Sequence, residues 1–259
     1  MATLEYASKG LVGVLTPQAN TTAEPEFSIL WPRGVAMLVA RLTSSSQSMM
    51  ERMNEYSDGL RATLDQFANA PLDAAAFSCT GSSYLIGAAR EAEWCAAIEA
   101  EHRYPLITAA RAVTDWLAAL GAKQIGLVSP YPPELTEMSV SYWQSAGYDV
   151  TEVAAIYNDE GDFHPIYSLN ADSGGGGLDA LKGKNVDAIV MLGTGMPTLG
   201  SILVRASWDG PPVTSCTLSL AWRTALAVAG QAPSAENALA WSRGETWGER
   251  MKFLAPISV

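Results

Sequence analysis

Basic residues are scarce in this chain. Its 259 residues hold 16 Lys and Arg against 27 Asp and Glu, a formal net charge of −11, and no block of cations stands out. No broad positive face is thereby offered to nucleic acid or to an anionic membrane surface, and an anionic ligand needs a local site. Histidine is rarer still, with only His102 and His164, and the three cysteines, Cys79, Cys95 and Cys216, are widely spaced. That inventory supports neither a disulfide framework nor a zinc site, so chemistry without metal or organic cofactor is expected. No uninterrupted apolar run of about 18 residues occurs, and the opening MATLEYASKG lacks a basic stretch followed by an apolar one; a cytoplasmic protein is expected. The glycine run at 174–177 lacks the Lys-Ser/Thr ending of a phosphate loop and reads as a flexible surface connection.

What is abundant is apolar surface: 48% of residues are hydrophobic and 17% charged, enough for one large unit or two compact domains with real cores. Short apolar runs alternate with amphipathic stretches, the pattern of parallel strands covered by helices. Strands are expected at 11–15, 74–77, 106–108, 124–128, 188–192 and 213–215. Helices are expected at 51–68, 83–101, 110–120 and 134–146, each with apolar residues at three-to-four spacing.

The sequence also repeats. GVLTP at 13–17 returns as GLVSP at 126–130, DAAAFSCTG at 73–81 as DAIVMLGTG at 187–195, and PLITAA at 105–110 as PVTSCT at 212–217. Three matched strand ends in one order imply two similar open α/β halves related by a pseudo-twofold axis. We expect residues 1–115 plus 221–259 in the first half and 116–220 in the second. In open α/β sheets, ligands bind beyond the carboxyl ends of the strands. The matched ends therefore bring to one cleft Thr16, Pro17 and Asn20; Cys79, Thr80, Gly81 and Ser82; Ser129, Pro130 and Tyr131; and Gly193, Thr194 and Gly195. Cys79 in one half stands where Gly193 stands in the other.

Cys79 closes an apolar run and opens a helical one. It is either a small packing residue or a nucleophile whose ionisation the helix N-terminus favours, lowering its pKa from about 8.5 into the range of roughly 3.5–7.5. A thiolate there can add to an activated double bond or remove a proton alpha to a carboxylate, while nearby N–H groups and the Thr80 and Ser82 hydroxyls stabilise an enediolate. Cys95 falls in a helical pattern and reads as core. Cys216 matches Ala109 and either packs or lines the cleft in place of a second thiol. His164, beside Pro165, reads as a loop residue.

Several stretches resemble the maleate cis-trans isomerase and arylmalonate decarboxylase branch of the aspartate/glutamate racemase superfamily. GVLTPQANTTAEPEF resembles its opening Pro-x-x-Asn-Thr turn, FSCTGSS its first cysteine loop, VSPYPPEL its Ser-Pro-Tyr turn, AIYNDEGDF its asparagine segment and LGTGMPT its second loop. The resemblance implies Cys79 as first catalytic thiol, and Asn20, Tyr131 and Asn158 as ligands of substrate carboxylate. It places the second catalytic cysteine at Gly193, where this chain has none. It further implies a cofactor-independent isomerase of a small dicarboxylate; apart from the resemblance, a homo-oligomer such as a dimer is expected. The alternatives are decarboxylation or racemisation of a substituted malonate or amino acid, and a binding protein that lost turnover with its second thiol.

Overall fold

Runs such as Gly10–Pro17, apolar with no polar alternation, are strands covered on both faces, as parallel sheets require. The computed structural model describes residues 4–158 and 165–254. Its strands are β1 (Gly10–Pro17), β2 (Val35–Leu42), β3 (Ala74–Phe77), β4 (Leu106–Thr108), β5 (Gln124–Ser129), β6 (Asp149–Ala155), β7 (Ala188–Met191) and β8 (Val213–Ser215). They form two four-stranded parallel sheets of identical order, β2-β1-β3-β4 and β6-β5-β7-β8. The repeated aspartates play one role twice. Asp73 Oδ2 accepts from Leu11 N (2.8 Å), and Asp187 Oδ2 from Lys123 N (2.7 Å) and Gln124 N (2.8 Å), tying each central strand to its neighbour at the foot of the sheet.

One apolar core runs through both halves. Val12 and Val14 of β1 share it with Ile125, Leu127 and Val128 of β5, while Leu15 faces a second cluster around Phe77, Leu60 and Leu106 on the other side of the first sheet. At the junction, the helices Ala109–Leu120 and Cys216–Val228 pack against each other. Trp31 Nε1 donates to Ala221 O (3.0 Å), and Trp116 Nε1 to Ala238 O (3.2 Å), fastening the C-terminal helices across the junction.

The structure corrects several local expectations. The helix expected at 51–68 is Met49–Asp58, Leu60–Leu64 and a 3₁₀ turn, and the one expected at 83–101 is divided at Gly87, whose φ of +77° suits glycine, into Thr80–Ile86 and Ala88–His102. The glycine run at 174–177 is no surface connection: it lies inside the helix Ala171–Leu181, with Gly174, Gly175 and Gly177 buried. A Cβ on Gly174 would stand 2.6 Å from Met191 Cε, and one on Gly177 2.6 Å from Val128 Cγ1. Close contact with β5 and β7 thus offsets a helix penalty of roughly 1 kcal/mol per glycine.

Candidate active site

β3 ends at Phe77, and the chain turns through Cys79, the N-cap of the helix Thr80–Ile86. The thiol lines a cavity of about 200 Å³ between the carboxyl ends of the two sheets, with Pro17, Thr80, Gly81, Tyr131, Thr194 and Gly195 around it. Such a volume suits a small ligand, since sites for drug-sized molecules are ~300–1,000 Å³. Three buried links seat the second-half loop on the first half. Asn20 Nδ2 donates to Thr194 O (3.0 Å), Thr22 Oγ1 to Gly195 O (2.6 Å) and Thr194 Oγ1 to Ser78 O (2.8 Å). A fourth comes from Glu26, fully buried, which accepts from Thr198 N (2.6 Å) and Leu199 N (3.2 Å). Burial pushes that carboxyl from 4.5 up to about 7, against the pull of those donors.

Cys79 is 5% exposed. Its Sγ lies 3.2 Å from Ser82 Oγ, which donates to Met53 O at 2.8 Å. While that hydroxyl proton is held by Met53, the thiol proton points to Ser82; on ionisation the hydroxyl can turn to the sulfur. Burial pushes the thiol above its ordinary value, outweighing Ser82 and the N–H groups of Ser82 and Gly81. The depressed pKa expected from the helix N-terminus is therefore not what this site produces: a one-sided dipole of a short helix loses to desolvation. Cys216 is fully buried beneath the cleft, near Thr80, Tyr84 and Gly193 N, and burial pushes its thiol up to about 11. Cys95 is wholly buried in the core of the first half.

Tyr131 is buried, and its phenol is raised by burial first and then by Cys216, Cys79 and Tyr167, so it remains a hydrogen-bond donor at neutral pH. The Thr80 hydroxyl, on the cavity wall, stands against the Tyr131 phenol and the Cys216 thiol. Gly193 has φ +83°, and a Cβ there would stand 2.7 Å from Ile166 Cδ1 and 3.1 Å from Tyr131 Oη. The space a second thiol would fill is occupied by those two side chains.

The remaining expected residues stand farther out. Ser82 supports Cys79 from behind the wall. Asn20 is buried one layer back, its Oδ1 accepting from Thr22 N (2.8 Å) and Ala23 N (3.0 Å) at the start of the helix Ala23–Leu30. Asn158 is exposed just past β6 and is not among the residues lining the cavity. His164 lies outside the described residues.

Sequence reasoning missed one wall altogether. The helix Met49–Asp58 presents Met49, Arg52, Met53 and Tyr56, and Gln18, Ala19, Ile166 and Tyr167 complete the lining. The three-to-four spacing of 49, 52, 53 and 56 marks one helical face, but nothing in a single sequence says that this face meets the cleft. A Cβ on Gly81 would stand 2.5 Å from Met53 Sδ, so that glycine lets the helix press directly on the cysteine loop.

The family profile described as arylmalonate decarboxylase matches residues 12–239. A maleate isomerase of Geobacillus stearothermophilus is 26% identical over 239 residues, 82% of this chain and 89% of that protein. One from Pseudomonas putida is 27% identical over 158 residues, 56% of this chain; the alignment spans 62% of that relative, under two thirds of its length. A solved mutant of Nocardia farcinica maleate cis-trans isomerase, with a covalently bound succinylcysteine intermediate, superposes with a TM-score of 0.76 at 19% identity, covering 86% of this chain and 93% of that one. At that identity the likeness is one of fold.

Proposed function

Because the chain belongs to the arylmalonate decarboxylase family, we propose that it is a cofactor-independent cis-trans isomerase of a small dicarboxylate, with Cys79 as nucleophile. The observation that carries this reading is the Cys79 thiol on the wall of a small cleft at the strand ends, backed by Ser82 and the N–H groups of Gly81 and Ser82. The thiolate adds to one alkene carbon, forming a C–S bond, while the π pair moves onto the neighbouring carbon and its carboxylate as an enediolate. The Tyr131 phenol and the Thr80 hydroxyl donate to that carboxylate as its charge grows. Rotation about the new single bond, return of the electron pair and loss of the thiolate give the other isomer, with no net oxidation and no proton consumed. Pro17, Thr194 and Gly195 shape the opposite side of the cleft. Asn20 acts by holding Thr194. We take the enzyme to be a cytoplasmic homodimer. Three free thiols suit a reducing compartment, and exposed Leu38 and Val39 on edge strand β2 suit association.

The single thiol also suits a second reading, decarboxylation of a substituted malonate. A thiol whose pKa is raised is protonated at neutral pH and is ready to deliver that proton to a carbanion.

The test is conversion of maleate to fumarate followed by absorbance, with arylmalonate and aspartate as alternative substrates. Wild type is expected to isomerise maleate, with kcat/KM climbing as pH rises through and above the ordinary thiol range near 8.5, since only the thiolate adds. Cys79→Ser should lose at least ~10³-fold in kcat with an unchanged Tm. Turnover of arylmalonate alone would favour the second reading, and acid binding without turnover of any of the three would leave a binding protein.

A further inference from the structure

A dianion entering this molecule meets a chain of net charge −11. Leaving water for a narrow cleft removes hydration that only a cation or several donors replace. Among the described residues lining the cavity, Arg52 is the sole charged side chain, and no carboxylate accompanies it. It is half-buried, and none of the ion pairs among the described residues includes it. Its charge is felt by Tyr56 and Tyr167 on the same wall, favouring their ionised forms against burial. A guanidinium on a cavity wall, with no ion pair among the described residues, can take a carboxylate in the two-pronged geometry that lysine does not reproduce.

Its position is also fixed relative to the thiol. Arg52 shares a helical face with Met53, whose side chain abuts Gly81 and whose carbonyl accepts from Ser82, the residue hydrogen-bonded to Cys79. The donors near the thiol, Thr80 and Tyr131, serve one carboxylate. Asn20 is engaged with Thr194 and the Ala23 turn, and Asn158 is not on the lining, so among the described residues Arg52 is the remaining side chain there that can hold a second carboxylate.

We infer that Arg52 is the specificity-determining residue of the cleft: it binds the substrate carboxylate remote from the carbon that meets Cys79, and so selects diacids over monoacids. Met49 and Met53, flexible and apolar, leave room beside it for variation in the linking carbons. This inference rests on the acid-binding reading of the cleft but not on turnover.

The experiment is calorimetric titration of full-length protein with two diacids, maleate and succinate, and two monoacids, cis-crotonate and butyrate, for wild type, Arg52→Gln and Arg52→Lys, together with maleate kinetics. Arg52→Gln should weaken diacid binding at least 10-fold and raise KM for maleate correspondingly, with kcat and monoacid affinity changed less than 3-fold. Arg52→Lys should restore part of the loss. An unchanged diacid affinity in Arg52→Gln, or equal losses for both acid classes in a variant of normal Tm, overturns the inference while leaving the isomerase reading intact. Arg52-dependent diacid binding without turnover sustains the inference and overturns the isomerase. Failure of wild type to bind any of the four acids overturns both.

Discussion

Gly193 shows how one residue can settle which chemistry a site is open to. Its φ of +83° belongs to glycine, and the volume where a side chain would project holds Ile166 and the Tyr131 hydroxyl. Proton removal on one face of a substrate and delivery on the other asks for two opposed groups, and Cys79 has no thiol opposite it. We therefore expect wild type to show little or no racemase activity toward free amino acids. Gly193→Cys should cost about 1–3 kcal/mol through backbone strain and steric contact, read as a Tm several degrees lower. Adding Ile166→Ala should recover part of that loss but not the part due to φ. A Gly193→Cys variant with unchanged Tm would show that the turn relaxes freely, and a gain in exchange of an alpha proton with solvent deuterium would then show that the second face had been restored.

At the scale of elements, the helix Ala23–Leu30 and the loop before the helix Leu199–Val204 meet through a single buried carboxyl. Glu26 carries a folded-state pKa of about 7 against 4.5 in the open chain. Because the folded value is the higher one, its contribution to stability is complete below about pH 4.5 and is lost as pH rises through 7. A displacement that large corresponds to roughly 3 kcal/mol. Glu26→Gln keeps a neutral acceptor for Thr198 N and Leu199 N, so its Tm should fall less than that of wild type between pH 5 and 8. Parallel pH profiles for the two proteins would show that another group is responsible. The elements themselves were unevenly legible. β3, β4 and β8 stand where short apolar runs ended by small or polar residues predict them, because strands buried on both faces carry an unambiguous pattern. β2 and β6 were not anticipated, and both are edge strands. DVTEVAA alternates because only one of its faces is covered, and VAMLVARL is built of residues that favour helices as readily as strands. The cleft was legible through its repeated strand ends: Cys79, Thr80, Tyr131, Thr194 and Gly195 meet on one cavity. The wall carrying Arg52 was not, because the docking of the helix Met49–Asp58 depends on the contact of Met53 with Gly81, which no local pattern encodes.

Across the whole molecule, the packed helices Ala109–Leu120 and Cys216–Val228 and the shared apolar core leave no seam at which one half opens alone. Arg223 Nε adds a 2.7 Å pairing with Asp115 Oδ2 at the same junction. Thermal unfolding followed by calorimetry should accordingly give one transition, with calorimetric and van't Hoff enthalpies in agreement; two resolved peaks would mean that the halves melt independently. The links from Asn20, Thr22 and Ser78 to the loop at Thr194–Gly195 join positions up to 174 residues apart in the chain. On the ribosome, domains fold as their chain emerges, N-terminal parts first. Cys79 leaves the exit tunnel long before Thr194 does, and the apolar cluster that holds its thiol, with Leu15, Tyr56 and Phe77, comes from the first half alone. One side of the cleft wall can therefore assemble around Cys79 first, and the loop at Thr194–Gly195 docks against it later.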